Sequence, residues 1–124
     1  MFDSLTRWEQ YAPEAYDEIR SSSNDVEEIA RNTGWLQFRI QRIKEHLFYR
    51  QHQLDDGVRC FDPDPDIADA WTRLYENQYN HEDIRLLEHE YFEARFEGIF
   101  RTNYPRAHKA TLDSGRSWNP PPQP

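Results

Sequence analysis

The stretch LEHEYFEARFEGIF, residues 87–100, carries His89, Glu90 and Glu93 as an H-E-x-x-E pattern. On a helix, His89 and Glu93 fall one turn apart and could share a divalent metal ion, leaving Glu90 as a base. The pattern supplies one imidazole where the H-E-x-x-H of zincins supplies two. A further ligand would have to come from His46, His52 or His108. Without a metal, His89 or Glu90 can act in proton transfer. Helical geometry puts Ile84, Leu87, Tyr91, Ala94 and Gly98 on one side, with Phe92, Phe96 and Ile99 widening the apolar arc. Glu90, Glu93 and Glu97 then share the opposite face, which reads as solvated and weakens Glu93 as a ligand. Glu88 and Arg95 fall inside the apolar arc, where a buried charge must be paired. His89 lies at its border.

A second group is FRIQRIKEHLFYRQH, residues 38–52. His46 flanks an apolar stripe, and Arg39, Arg42 and Arg50 share its side of the helix. Arginines beside a histidine suit a phosphate or carboxylate, held by guanidinium while the imidazole moves a proton. The competing reading pairs these cations with the acidic loop 62–66. In that loop, Asp62, Asp64 and Asp66 alternate like the start of a calcium site. Ile67 stands where such a loop needs glycine, and Arg73 where it needs glutamate. The segment therefore reads as a rigid turn with Asp64 as a helix cap, and Asp62 as a candidate substrate contact. Ala30, Gly34 and Ile40 have helix-turn-helix spacing, with Arg39, Arg42 and Lys44 on the second helix. A net charge of −8 argues against DNA binding.

These side chains meet only if helices bring them together, and helical signals dominate. Residues 3–20 form a first helix anchored by Leu5, Trp8, Tyr11 and Tyr16, interrupted by Pro13. A short helix from Val26 to Asn32 stops at Gly34. The next, about Leu36 to Arg50, buries Leu36, Ile40, Ile43 and Leu47. QHQLDDGVRCFDPDP is a loop. Asp64-Pro65 starts another helix, Asn80 caps one that runs to about Phe100, and Tyr104-Pro105 opens the last. No alternating strand pattern is found. The tail SWNPPPQP is too proline-rich for a helix.

Composition sets the outer limits. At 124 residues, one domain is expected. The apolar fraction is only 36%, with aromatics supplying much of it. The lone Cys60 excludes an internal disulfide and a CxxC zinc site. Neither a signal peptide nor a membrane span is evident, which predicts a cytoplasmic protein without membrane association.

Taken together, IARNTG, IQRIKEHLF, FDPDPDIADAWTRL, LLEHEYFEARF, AHKAT and WNP, in this order, resemble a small helical domain at the C-termini of bacterial polymorphic toxins and of phage head-morphogenesis-like proteins. The resemblance covers about residues 26–119. It implies functional polar positions at His46, His52, Asp62, Asp64, His89, Glu90, Glu93, His108 and Asn119, gathered from several helices of a small bundle. Such toxin domains follow a long delivery region, whereas here one helix precedes the matched stretch. A stand-alone enzyme or accessory protein is equally expected.

The reading that results is a single all-α bundle of five to six helices: an N-terminal helix and linker (1–24), a helical domain (25–117) and a flexible proline-rich tail (118–124). The expected function is a small hydrolase-like domain acting on a phosphodiester or related polar substrate, nuclease-like, with nucleic acid only as substrate. His46, His89, Glu90 and His108 are its catalytic candidates, and Arg39, Arg42, His52 and Asp62 its substrate contacts. No cofactor is the primary expectation; a divalent metal, if bound, would take His89 and Glu93. The second reading is an interaction or accessory module with a protein partner. The third is a DNA-binding helix-turn-helix.

Overall fold

Asp3 accepts the Thr6 N–H and opens helix α1, which runs through Ser4–Thr6, a widened turn at Arg7–Tyr11, and Ala12–Ser21 in a computed structural model that describes residues 3–120. The widened turn sits just before Pro13, whose ring would crowd the carbonyl four residues back. There the Ala12 N–H reaches back five residues to Arg7. The inserted residue also rotates the chain before it. Leu5 and Trp8, expected as anchors, are exposed, while Tyr16 is buried.

Helix α2 (Asp25–Thr33) ends at Gly34, whose φ of 80° makes the left-handed cap. Helix α3 (Gln37–Lys44) begins after Leu36, so Leu36 stands outside the buried stripe and is exposed; Ile40, Ile43 and Leu47 fill it as expected. The helix continues into a second widened turn, Glu45–Tyr49. The region read as a loop contains a small antiparallel hairpin, β1 (His52–Leu54) and β2 (Gly57–Arg59), with His52 opposite Arg59. Helix α4 (Pro65–Tyr75) is capped by Asp64, which accepts the Asp66 N–H at 2.8 Å. Helix α5 (His81–Phe100) starts in a capping box between Asn80 and Asp83. Helix α6 (Tyr104–Asp113) is capped by Asn103. The six-helix, mostly α fold is as the sequence predicts. Residues 121–124 of the proline-rich tail lie outside the described residues.

One core draws on α1 to α5: Tyr16, Ile19, Val26, Ile29, Ile40, Ile43, Leu47, Phe48, Ala68, Trp71, Leu74 and Leu87. The Phe48 ring meets Tyr16 and Trp71 edge-on, at 4.7 and 5.2 Å between centroids. Tyr16 and Ile19 tie the N-terminal helix into this core. Two buried carboxylates nearby have strong partners. Asp25 accepts from Lys44 Nζ at 2.7 Å and Trp71 Nε1 at 3.0 Å. Asp83 accepts from two Arg73 nitrogens at 2.8 Å. Lys44, which a DNA-reading second helix would turn outward, is thus an interior ion-pair partner. Among the described residues no helix is long and apolar enough to cross a membrane.

Candidate functional site

His89, Glu90, Glu93 and Glu97 form a stripe on α5. The sequence reading turned the three glutamates to solvent; the structure turns them inward. Glu93 is 1% exposed and Glu90 6%. The cause is the position of α5, which is covered on two faces. Leu86, Leu87 and Ala94 are buried on one side. On the other, the widened turn after α3 brings His46, β1 brings His52 and α6 brings His108. Closing that turn with a bond from Arg50 N–H to the Glu45 carbonyl, 2.8 Å and five residues back, adds a residue to the turn that carries His46.

Glu93 is the hub. Its Oε1 lies 2.9 Å from His46 Nε2, and its Oε2 lies 3.3 Å from His89 Nε2 and 3.1 Å from His108 Nδ1. Glu90 spans the same two sides, 3.4 Å from His46 Nε2 through Oε2 and 4.0 Å from His89 Nε2 through Oε1. The Glu90 Oε2 contact is close but not aligned as a hydrogen bond, leaving that buried oxygen without a donor. Glu97 approaches His46 Nδ1 at 3.2 Å and His52 Nδ1 at 3.1 Å. Two rings are also fixed by the main chain: His52 Nε2–H donates to the His46 carbonyl at 2.8 Å, and His89 Nδ1–H to the Arg116 carbonyl at 2.7 Å. A carbonyl only accepts, so these nitrogens carry the hydrogens. Phe61 stacks on His52 at 3.9 Å and meets His46 edge-on at 5.3 Å.

Burial opposes charge throughout the cluster, and the neighbours decide the outcome. For His46, burial is outweighed by Glu90, Glu93 and Glu97, which hold its pKa well above the ordinary imidazole value. His89 is raised in the same way, against burial, by Glu93 and Glu90. Glu90 is raised by burial and by repulsion from Glu93. Glu93 and Glu97 are also penalised by burial, yet both are lowered: Glu93 by His108, His46 and His89, Glu97 by His46 and His52. Two carboxylates three residues apart therefore differ, with Glu93 the anion and Glu90 inclined to keep a proton.

Solvent reaches the cluster through His108, whose side chain is 38% exposed. It opens on a groove of ≈ 520 Å³ lined also by Leu54, Arg59 and Tyr104. A larger groove of ≈ 630 Å³ lies elsewhere, over Trp35, Tyr91, Phe92, Phe96 and Phe100. That groove is the apolar arc read from the sequence as packed. Glu88 and Arg95 line it and are exposed, not buried charges needing partners.

Of the sequence candidates, His46, His52, His89, Glu90, Glu93 and His108 come together. Arg39 does not: it lies over the Tyr91 ring at 5.1 Å, in the apolar groove. Arg42 packs against Gly98, its Nε buried without a partner. Asp62 is exposed and pairs with Arg59 at 3.0 Å, and Asp66 receives Arg7, so the acidic loop meets neither Arg39 nor Arg42 in these pairs. The sequence reading did not name Glu97, Phe61 or Tyr104 as site residues. Glu97 carried a signal, since it continues the His89–Glu93 stripe by one turn; Phe61 and Tyr104 carried none. No protein-family profile, no curated protein and no solved structure matches the chain.

Proposed function

We propose that the domain is a small hydrolase acting on a phosphodiester or related polar ester, with its chemistry at the His46–Glu90–Glu93–His89–His108 cluster. The observation that carries this reading is the convergence of three histidines from three elements on one buried carboxylate, with only His108 open to a groove. In the reaction, His108 takes a proton from water as the water oxygen bonds to phosphorus. The P–O ester bond breaks, and the imidazolium returns the proton to the departing alkoxide. Glu93 orients His108 and stabilises its charged form. His46 and His89 fix Glu93 from its other side. Arg59 lines the groove and meets the substrate's charge, exchanging Asp56 and Asp62 for it.

The test is turnover of an activated phosphodiester and of single-stranded RNA by the purified chain. His108→Ala is expected to lower the rate about 10²–10⁴-fold while circular dichroism stays unchanged. Full activity in His108→Ala, or no turnover by the parent chain, removes the proposal. The interaction-module reading is supported by a separate feature, the groove in which Ile99 and Phe100 are exposed beside Arg39, Arg95 and Arg116. Its three arginines, against one Glu88, favour an acidic partner. Phe100→Ser weakening a measured 1:1 complex while leaving hydrolysis intact would favour it.

A further inference from the structure

Without a bound cation, the cluster balances its three carboxyl groups only through imidazoles and a proton held by Glu90. Five imidazole nitrogens (His46 Nδ1 and Nε2, His52 Nδ1, His89 Nε2 and His108 Nδ1) face the oxygens of Glu90, Glu93 and Glu97. Even with a hydrogen on all five, Glu90 Oε2 has no donor, although its side chain is only 7% exposed and points at His46. Placing all those hydrogens would also set two charged rings, His46 and His52, side by side with centroids 4.6 Å apart. Elsewhere this fold pairs its buried carboxylates with Lys44 or Arg73. In the described ion pairs of Glu90, Glu93 and Glu97, no lysine or arginine takes part.

We infer that the missing cation is a divalent first-row transition ion, bound first by His89 Nε2, His108 Nδ1 and Glu93, with His46 Nε2 and Glu90 forming a second ligand group around the same Glu93. The inference rests on the same site as the proposed hydrolase. The ring hydrogens support it. His89 Nδ1–H is given to the Arg116 carbonyl, and His46 Nδ1 faces Glu97, so each ring turns an Nε2 lone pair inward. This is the arrangement in which a metal-bound histidine is held by a carbonyl or carboxylate behind it. His52 and Glu97 then support His46 without touching the ion. The N···O separations of 3.1 and 3.3 Å in the His89–Glu93–His108 group, and of 2.9 and 3.4 Å in the His46–Glu90–Glu93 group, fit ligands about 2.0–2.2 Å from an ion, which stand about 3.0–3.5 Å apart. Three imidazoles with carboxylates select zinc, manganese or iron over calcium or magnesium. Glu93 belongs to both groups, so a second ion beside the first would share its carboxylate.

The experiment titrates tag-free, chelator-washed full chain with Zn²⁺, Mn²⁺ and Co²⁺ by calorimetry, with Co²⁺ also followed by its visible absorption. Saturable binding at one or two equivalents is expected. His89→Ala and Glu93→Gln should each weaken it at least about 100-fold, and His52→Gln, behind the ligands, about 10-fold. His108→Ala, at the accessible edge, is the second variant should the buried ones fail to fold, and it too should weaken binding. No saturable binding by the folded parent chain, or affinity unchanged in folded His108→Ala, overturns the inference. The two proposals separate cleanly. Turnover by a chain that shows no saturable ion binding sinks the metal and leaves the hydrolase; a bound ion without turnover does the reverse.

Discussion

At the scale of single residues, two kinds of buried carboxylate stand side by side. Asp25 is held by Lys44, and removing the lysine alone strands a charge in the core. Lys44→Met is expected to cost about 3–5 kcal/mol in urea unfolding, and adding Asp25→Leu should recover much of that loss. The histidine cluster predicts a pH response for the metal-free chain. His46 and His89 are raised on folding, so their contribution is complete below their ordinary value of 6.5 and is lost as pH rises through the folded values. Glu93 and Glu97 are lowered, so theirs is complete above 4.5 and is lost as pH falls through the folded values. Glu90, being raised, works against stability above 4.5. The urea midpoint should therefore be highest between these values and decline as pH rises above 6.5. His46→Gln should flatten that decline; an unchanged slope would refute it. His46, His89 and His108 were legible in the sequence because so few residue types can move protons near neutrality. That Arg39 would lie apart from them, over Tyr91, was not legible: guanidinium groups serve equally as ring-stacking partners, and spacing does not say which.

Helix ends were the most legible elements, because caps are local chemistry. Asn80, Asp64 and Gly34 each act where their side chain or backbone freedom requires. Asn80→Ala, which breaks the capping box of α5, should cost about 1 kcal/mol in thermal or urea unfolding. The widened turns were not legible, since the sequence around His46 reads as unbroken helix and only packing selects the extra residue. The hairpin escaped notice because its two strands have three residues each, too few to show alternation. For α5, periodicity correctly grouped Glu90, Glu93 and Glu97 on one face. It could not reveal that this face would be covered by His46, His52 and His108, while Phe92 and Phe96 would line an open groove. Charge marks a face as polar, and only tertiary structure decides whether water or imidazole meets it.

The whole molecule shares one core, and α1 is part of it through Tyr16 and Ile19. Tyr16→Ala should cost about 3–5 kcal/mol and shift a single unfolding transition, with far- and near-ultraviolet dichroism superimposing. Two separated transitions would show that residues before Ser22 unfold on their own. The acidic balance seen in the composition is partly interior, carried by Asp25, Asp83, Glu90 and Glu93, so the surface is less acidic than the net charge implies. The most consequential global feature is that, of the four histidines in the cluster, His46, His52 and His89 are buried while His108 opens to solvent. An ion or small molecule that enters beside His108 reaches Glu93 along the ten-residue helix α6. Where entry requires that helix to shift, filling and emptying of the site follow the timing of its shifts. A competitor outside cannot hasten them, and the exchange rate should level off as competitor concentration rises.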